Sequence, residues 1–208
     1  MYLDDVQFQR GGFQNRTKIR HNGSESYLTV PVVKGPLETE IRHMEISYAS
    51  PWQHRHASTL RAMLGDMWAG HEAMMEELLS SITAGPVLLS ELSMATTEWM
   101  LRAVGATCRT VRSSDLGVTG GRVSRVVRIC RALGATEYLS GGGASIYQTS
   151  EDFSVEGIEL KYLLAGAKNS DISTTLLSPY SSVTNVLRFG KNLPELLERQ
   201  YVVGDTHP

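Results

Sequence analysis

The sequence predicts an α/β protein with a mainly parallel sheet, a right-handed βαβ crossover, an N-terminal β-hairpin and helices packed as a layer or lobe. Three observations carry this expectation. First, one phrase occurs twice, as Arg102-Ala103-Val104-Gly105-Ala106-Thr107 and as Arg131-Ala132-Leu133-Gly134-Ala135-Thr136. Each copy ends an apolar-periodic helix on glycine and enters a short β-rich run, Cys108 to Val111 or Glu137 to Leu139. Second, Gly120 to Leu133 lies between those runs and reads as the crossover helix, which is right-handed in nearly all proteins. The runs are also too apolar to face water on either side, as strands of a parallel sheet are. Third, Thr17 to Val33 carries the turn signal His21-Asn22-Gly23 ahead of the β-rich Tyr27 to Val33. The alternative for the repeated phrase is turn chemistry used twice.

The elements follow in order. Met1 to Leu3 reads as the tail of a strand that ends in Asp4-Asp5, and Gln7 to Arg20 is basic and amide-rich. Pro31 marks an edge position or a bulge in the hairpin, and Glu40 to Ile46 alternates as a further strand would. From Pro51 the spacing turns helical. Trp52, His56, Leu60, Met63, Leu64 and Met67 form one stripe, Met74, Met75, Leu78, Leu79 and Ile82 a second, and Pro86 to Val104 gives a third. The methionines read as core filler. Ala144 to Gln148 reads as a helix start, Gly157 to Leu163 as a third strand, and Ala165 to Thr175 as a polar loop. Ser181 to Arg188 and Pro194 to Tyr201 read as terminal helices. At 208 residues the expectation is one α/β domain over 1–208, with 51–105 a helical subregion and 202–208 a frayed tail.

Composition narrows the function classes. Twenty basic and 22 acidic residues leave a net charge of −2, so no global field favours nucleic acid or an anionic membrane. No apolar run reaches the ~20 residues that span a bilayer, and Met1 to Asp5 has no leader-peptide pattern, so the expected location is the cytoplasm. Cys108 falls in an expected strand and Cys130 on an apolar helix face with Val123, Val126, Val127 and Leu133, which suits buried thiols better than a disulfide. His54 and His56 are two apart and cannot share a helix face, and no Cys/His set has zinc-site spacing, so no metal is expected.

The chemistry-bearing candidates are few. Ser113-Ser114-Asp115 and Ser140-Gly141-Gly142-Gly143 would lie at the carboxyl ends of neighbouring parallel strands, the rim where open α/β sheets bind ligands. The glycines let backbone approach an anion, and a following helix would present free amides. Asp4 and Asp5 could hold a Mg²⁺, orient a hydroxyl or act as a base, or could simply form a turn. Arg10 and Arg16 can grip phosphate or carboxylate with two parallel bonds, beside Asn15; their alternative is a solvated strand face.

Several separate motifs, in register, resemble the WbqC-like family. They are Leu3-Asp4-Asp5-Val6-Gln7-Phe8, Asn15-Arg16, Tyr27-Leu28-Thr29-Val30-Pro31-Val32, and Trp52 with His56. Further along come Ser113-Ser114-Asp115-Leu116, Ile129 to Ala135, and Tyr138-Leu139-Ser140-Gly141 with Tyr147. The resemblance covers about residues 2 to 163 and extends to Ser181–Gly190. It implies a protein of surface-polysaccharide or specialised-metabolite biosynthesis that modifies a small or nucleotide-linked substrate, with amide-forming aminoacyl transfer as one chemistry. On that basis Asp4, Asp5 and His56 are the candidate catalytic residues. Arg10, Asn15, Arg16, Ser113, Ser114, Asp115, Ser140, Gly141, Gly142, Gly143 and Tyr147 are the candidate substrate contacts. The sequence and the resemblance leave the cofactor open.

This sequence departs from the family pattern twice. Relatives place a strand and a Gln-Pro segment ahead of Leu-Asp-Asp, whereas here the sequence starts inside that strand. A Tyr-x-His-Pro-like region expected after the third strand is replaced by Leu163 to Thr175. Either the true start lies upstream of Met1 or this member has lost part of the family's site, and a sheet shortened by such a loss exposes an edge. The rival expectation is therefore a non-catalytic binding or scaffold protein that pairs with a second copy or with a pathway enzyme.

Overall fold

The structure, a computed structural model, describes residues 1–21, 24–165 and 182–204. In chain order its elements are β1 (Arg16–His21), β2 (Ser24–Thr29), α1 (Trp52–Leu64), the single turn α2 (Asp66–Ala69), α3 (Glu72–Thr83) and α4 (Leu89–Ala103). They continue as α5 (Arg122–Ala132), β3 (Glu137–Gly141), α6 (Ser150–Ser154), β4 (Glu159–Ala165), α7 (Ser182–Phe189), α8 (Leu193–Gln200) and β5 (Tyr201–Gly204). The class is mixed α/β, with one two-stranded and one three-stranded sheet. Contacts gather into two compact units, Tyr2–Thr110 with Thr174–Leu193, and Val111–Ser173 with Pro194–Pro208 and Met1.

The first unit is built on the hairpin and the helices. β1 and β2 pair antiparallel from Arg16↔Thr29 to His21↔Ser24, the register that a two-residue Asn-Gly connection requires; Asn22 and Gly23 themselves lie outside the described residues. Pro31 sits just past β2, where its missing N–H costs nothing, and its carbonyl accepts the Ser47 amide at 2.8 Å. The expected strand at Glu40 to Ile46 is instead a 3₁₀ turn, Ile41–His43, flanked by isolated bridges. Ile41 and Met44 are three apart, which suits one 3₁₀ turn better than a strand, and both are buried. The three helical stripes appear as expected. Trp52, Leu60 and Leu64 of α1, Met75, Leu78, Leu79 and Ile82 of α3, and Leu89, Leu92 and Trp99 of α4 enter one core with Val186 and Leu187 of α7. Met75 is fully buried there as filler.

In the second unit β3 pairs parallel with β4, and β4 pairs antiparallel with β5. The sheet is therefore mixed and not mainly parallel. Tyr201–Gly204 forms its β5 edge where the sequence suggests a tail, and the loop expected over Ala165 to Thr175 falls almost wholly outside the described residues. The expected strand at Cys108 to Val111 does not form; a 3₁₀ turn, Ser113–Leu116, follows that stretch. Parallel pairing comes one step later, between strands joined through Gly142–Ile158 and α6. Nor is β3 apolar on both faces. Ser140 is buried, whereas Glu137 and Leu139 are exposed, and Lys161 bridges Glu137 at 2.8 Å and Glu159 at 3.2 Å on the outer face. The inner face packs Tyr138, Leu160 and Tyr162 with Phe153 of α6 and Val126, Val127 and Cys130 of α5. Cys130 is a buried free thiol as expected, and Cys108 an exposed one.

The repeated phrase is a helix stop used twice. In the first copy Gly105 (φ +73°) bonds Arg102 O, and Ala106 N reaches Leu101 O at 2.9 Å. In the second, Gly134 (φ +66°) bonds Arg131 O, and Ala135 N reaches Cys130 O at 2.9 Å. Both are Schellman terminations, which demand glycine at the left-handed position but say nothing about the next strand. The same geometry turns Leu133, the C-cap residue, outward to 39% exposure instead of onto the core. Gly134→Ala is expected to cost about 1 kcal/mol through left-handed strain alone, because a Cβ there meets nothing within 4 Å. Thermal unfolding checks this against Gly141→Ala. Gly141 has no positive φ and opens onto free space, so that change should stay within about 0.5 kcal/mol.

Candidate functional site

The first unit carries an open-mouthed cavity of about 600 Å³. Its walls are side chains that each element turns inward: Leu28 and Val30 from β2 and its extension, Leu60 from α1, Leu78 and Ile82 from α3, Leu92 and Met100 from α4, and Val183 from α7. Phe13, 74% exposed, also lines it, which sets an aromatic ring at the mouth. Polar groups are a minority of the lining: Tyr2 near the N-terminus, Gln14, Asn15, Arg16 and Thr17 at the start of the hairpin, His56 and Trp52 on α1, and Ser93, Thr96 and Thr97 on α4. An apolar hollow with a small set of polar groups is the usual form of a small-molecule site.

His56 is buried in that wall. One turn along α1 from Trp52, it meets the indole edge-on, with centroids 5.1 Å apart and planes at 67°. Its Nε2 lies 3.1 Å from Thr29 O. A carbonyl can only accept, so Nε2 carries the hydrogen and the neutral ring keeps its lone pair on Nδ1. Burial, more than anything else, pulls the His56 pKa below its ordinary value; the Thr29 bond opposes this and the Arg55 charge adds to it. The unfolded chain thus binds a proton that the folded ring refuses. Stability is expected to be full above the ordinary histidine pKa of about 6.5 and to fall as the pH drops below it. Denaturant titrations between about pH 7 and about pH 5 check this, since His56→Gln should flatten the decline and an equal slope in both proteins would contradict it.

Arg16 spreads its guanidinium 4.5 Å above the Tyr27 ring and donates to Gly11 O, while its Nε is buried without a hydrogen-bond partner. Asn15 clamps the open end of the hairpin. Its side-chain Nδ2 donates to Val30 O at 2.9 Å and its backbone carbonyl accepts Val30 N–H at 2.8 Å, which fixes this part of the wall. Arg10 is exposed, donates to Gly35 O at 2.9 Å, and lines a separate hollow of about 170 Å³ instead of the main cavity. Asp4 is 1% exposed and its carbonyl accepts Arg42 N at 2.7 Å. Leu3 and Val6 line the cavity, but Asp4 and Asp5 do not; both carboxylates favour the charged form of Arg42, whose pKa is raised first by its bond to Glu40.

The remaining candidates belong to the second unit. Ser113 is fully buried in its 3₁₀ turn, Ser114 stands beside it, and Asp115 N bonds Arg112 O at 3.3 Å. Ser140 Oγ donates to Gln148 Oε1 at 2.9 Å, and Tyr162 OH donates to Gln148 O at 2.9 Å, a buried network that ties the sheet to the following loop. Gly141 and Gly143 adopt no positive φ, and Gly142 opens a single 3₁₀ turn, Gly142–Ala144. The helix expected at Ala144 to Gln148 is absent. α6 begins only at Ser150, where Thr149 and Asp152 cap it reciprocally. Tyr147 lies under Arg122, 4.6 Å from ring to guanidinium carbon.

The structure thus gathers Arg16, Asn15 and His56 on one cavity and leaves the serine and glycine loops in the other unit. Trp52, Phe13 and the α4 hydroxyls are wall residues outside the set of site residues expected from the sequence. Trp52 was accessible from its spacing, since Trp52 and His56 share one helix face. No helix among the described residues is long and apolar enough to cross a membrane.

These features define an α/β protein with an apolar cavity carrying a histidine and an arginine. The chain belongs to the WbqC-like protein family, which it matches over residues 1–170. It is also similar to the uncharacterized protein Rv1507c of Mycobacterium tuberculosis (strain ATCC 25618 / H37Rv), with 29% identity over 147 residues. That alignment covers 69% of this chain and 62% of the relative, so the chain spans less than two thirds of the relative's length. No solved structure matches the chain.

Proposed function

We propose that this chain is a biosynthetic transferase acting on a phosphorylated or nucleotide-linked small molecule in surface-glycan or specialised-metabolite production. The observation that carries the reading is the presence of Arg16 and His56 on the wall of one cavity. Arg16 supplies a permanent cation suited to a phosphate or carboxylate. His56, neutral and with a free Nδ1, is in the protonation state of a general base. Family membership supports a biosynthetic role.

The form of transfer that fits these groups is amide formation. An amine of the acceptor attacks the carbonyl of a phosphate-activated aminoacyl donor; the C–N bond forms, the C–O bond to phosphate breaks, and the phosphate leaves with the electron pair. The amine proton passes to His56 Nδ1. Asp4 and Asp5 act at one remove in this scheme, by holding the segment that carries Leu3 and Val6 into the wall.

Isothermal titration with nucleoside diphosphates, nucleotide sugars and phosphorylated amino sugars tests the proposal. At least one class should bind, and Arg16→Gln should weaken it by about tenfold or more, the scale of a lost charge-assisted bond. Absence of heat with every class, together with stable pairing to a pathway enzyme, would favour the scaffold alternative.

A further inference from the structure

Two tryptophans are almost wholly buried in the first unit, each at 1% exposure, and they differ in one respect. Trp99 donates its indole N–H to Met74 O at 3.0 Å. Among the described residues, Trp52 Nε1 is buried with no partner, and so is Arg16 Nε. Buried N–H groups in folded proteins are nearly always bonded, because an unmade bond there costs its full desolvation. Both orphaned donors belong to residues that line the same cavity.

The rest of that lining restricts what can satisfy them. Leu28, Leu60, Leu78, Ile82, Leu92 and Met100 offer only hydrocarbon, and the exposed Phe13 ring continues the apolar surface to the mouth. Of the polar wall groups, Thr96 and Thr97 donate to Leu92 O and Ser93 O and the Asn15 amide to Val30 O, so a sugar or a nucleotide base would recover few of its water bonds there. A hydrocarbon chain would gain by the same transfer. Arg16, stacked on Tyr27 and bonded to Gly11 O through one amino group, keeps its buried Nε–H unbonded beside this wall.

We infer that the cavity holds an aliphatic acyl group, its chain along the leucine wall and its carbonyl oxygen accepting from Trp52 Nε1–H. The inference rests on the reading of this cavity as the substrate site and deepens it by naming the class of group that enters. The phosphate or nucleotide portion of the substrate stays outside the hydrocarbon walls. The volume of about 600 Å³ lies within the ~300–1,000 Å³ of pockets that take a drug-sized ligand.

Calorimetric titration of the whole chain with primary alkyl amides of increasing length, butanamide to decanamide, tests this. Affinity should rise about fourfold for each added methylene until the cavity is filled, as burial of hydrocarbon requires. An affinity independent of length would overturn the inference. Trp52→Phe keeps an aromatic ring and removes the donor; it should weaken every amide roughly tenfold and leave the gain per methylene unchanged. Should that variant fail to fold, Thr97→Trp, at an exposed wall position, serves instead. It should shorten the longest chain that still gains affinity, and an unchanged limit would count against the cavity as the site. The two readings separate in the same instrument. Length-dependent amide binding without any nucleotide or phosphate binding overturns the transferase proposal alone, and the reverse pattern overturns the acyl assignment alone.

Discussion

Trp99→Ala is expected to lower the stability of the first unit by ~3–5 kcal/mol, the range for deleting a buried aromatic ring. Trp99 sits at 1% exposure in the helical core, and its indole N–H ties α4 to Met74 of α3. Alanine removes the ring, leaves a void that rigid neighbours only partly close, and deletes the bond from α4 to the Met74 carbonyl. Denaturant unfolding followed by far-UV circular dichroism measures the loss. A change below about 1 kcal/mol would mean that the α3–α4 packing is not what holds this unit together.

Phe153→Ala is expected to cost a similar ~3–5 kcal/mol in the second unit. α6 runs only from Ser150 to Ser154, too short to persist on its own hydrogen bonds. Phe153, fully buried and stacked on Tyr138 with centroids 5.2 Å apart and planes at 10°, is its anchor. Without that ring the Gly142–Ile158 connection loses its hold on the sheet, and the β3 and β4 amides should exchange with solvent faster. Hydrogen exchange at Tyr138, Leu139 and Leu160 reads this directly, and protection equal to the wild type would contradict it.

The helices were the most legible part of the sequence, because burial on one face writes a repeat of 3.6 residues that needs no partner to be recognised. The stripes at Trp52 to Leu64, Met75 to Ile82 and Leu89 to Trp99 are all present. The hairpin was legible for a similar reason, since Asn-Gly names its own turn. The order of the larger sheet was not. Strand pairing depends on distant partners, and the repeated Gly-Ala-Thr phrase records only how α4 and α5 end. It therefore suggested a strand at Cys108 that does not exist, and it concealed the parallel pair one step further on.

The candidate site divides along the same line. Arg16 and His56 were chosen by chemical type and by the family pattern, and they do share a cavity. Their partners in the expected site, the Ser113 and Ser140 loops, were placed with them only through the assumed parallel rim. Trp52 was read as core because a tryptophan on an apolar stripe usually is; its unpaired Nε1 becomes visible only when every buried donor is matched to an acceptor.

The most direct test of the central claim, that this cavity is the small-molecule site, is methyl NMR of the full chain titrated with decanamide. Resonances of Leu60, Leu78, Ile82, Leu92 and Met100 should shift together and saturably, while those of Val126, Ile129 and Leu160 in the other unit should stay in place. Shifts gathered on the second set, or none on the first at concentrations that saturate the calorimetric signal, would contradict the account.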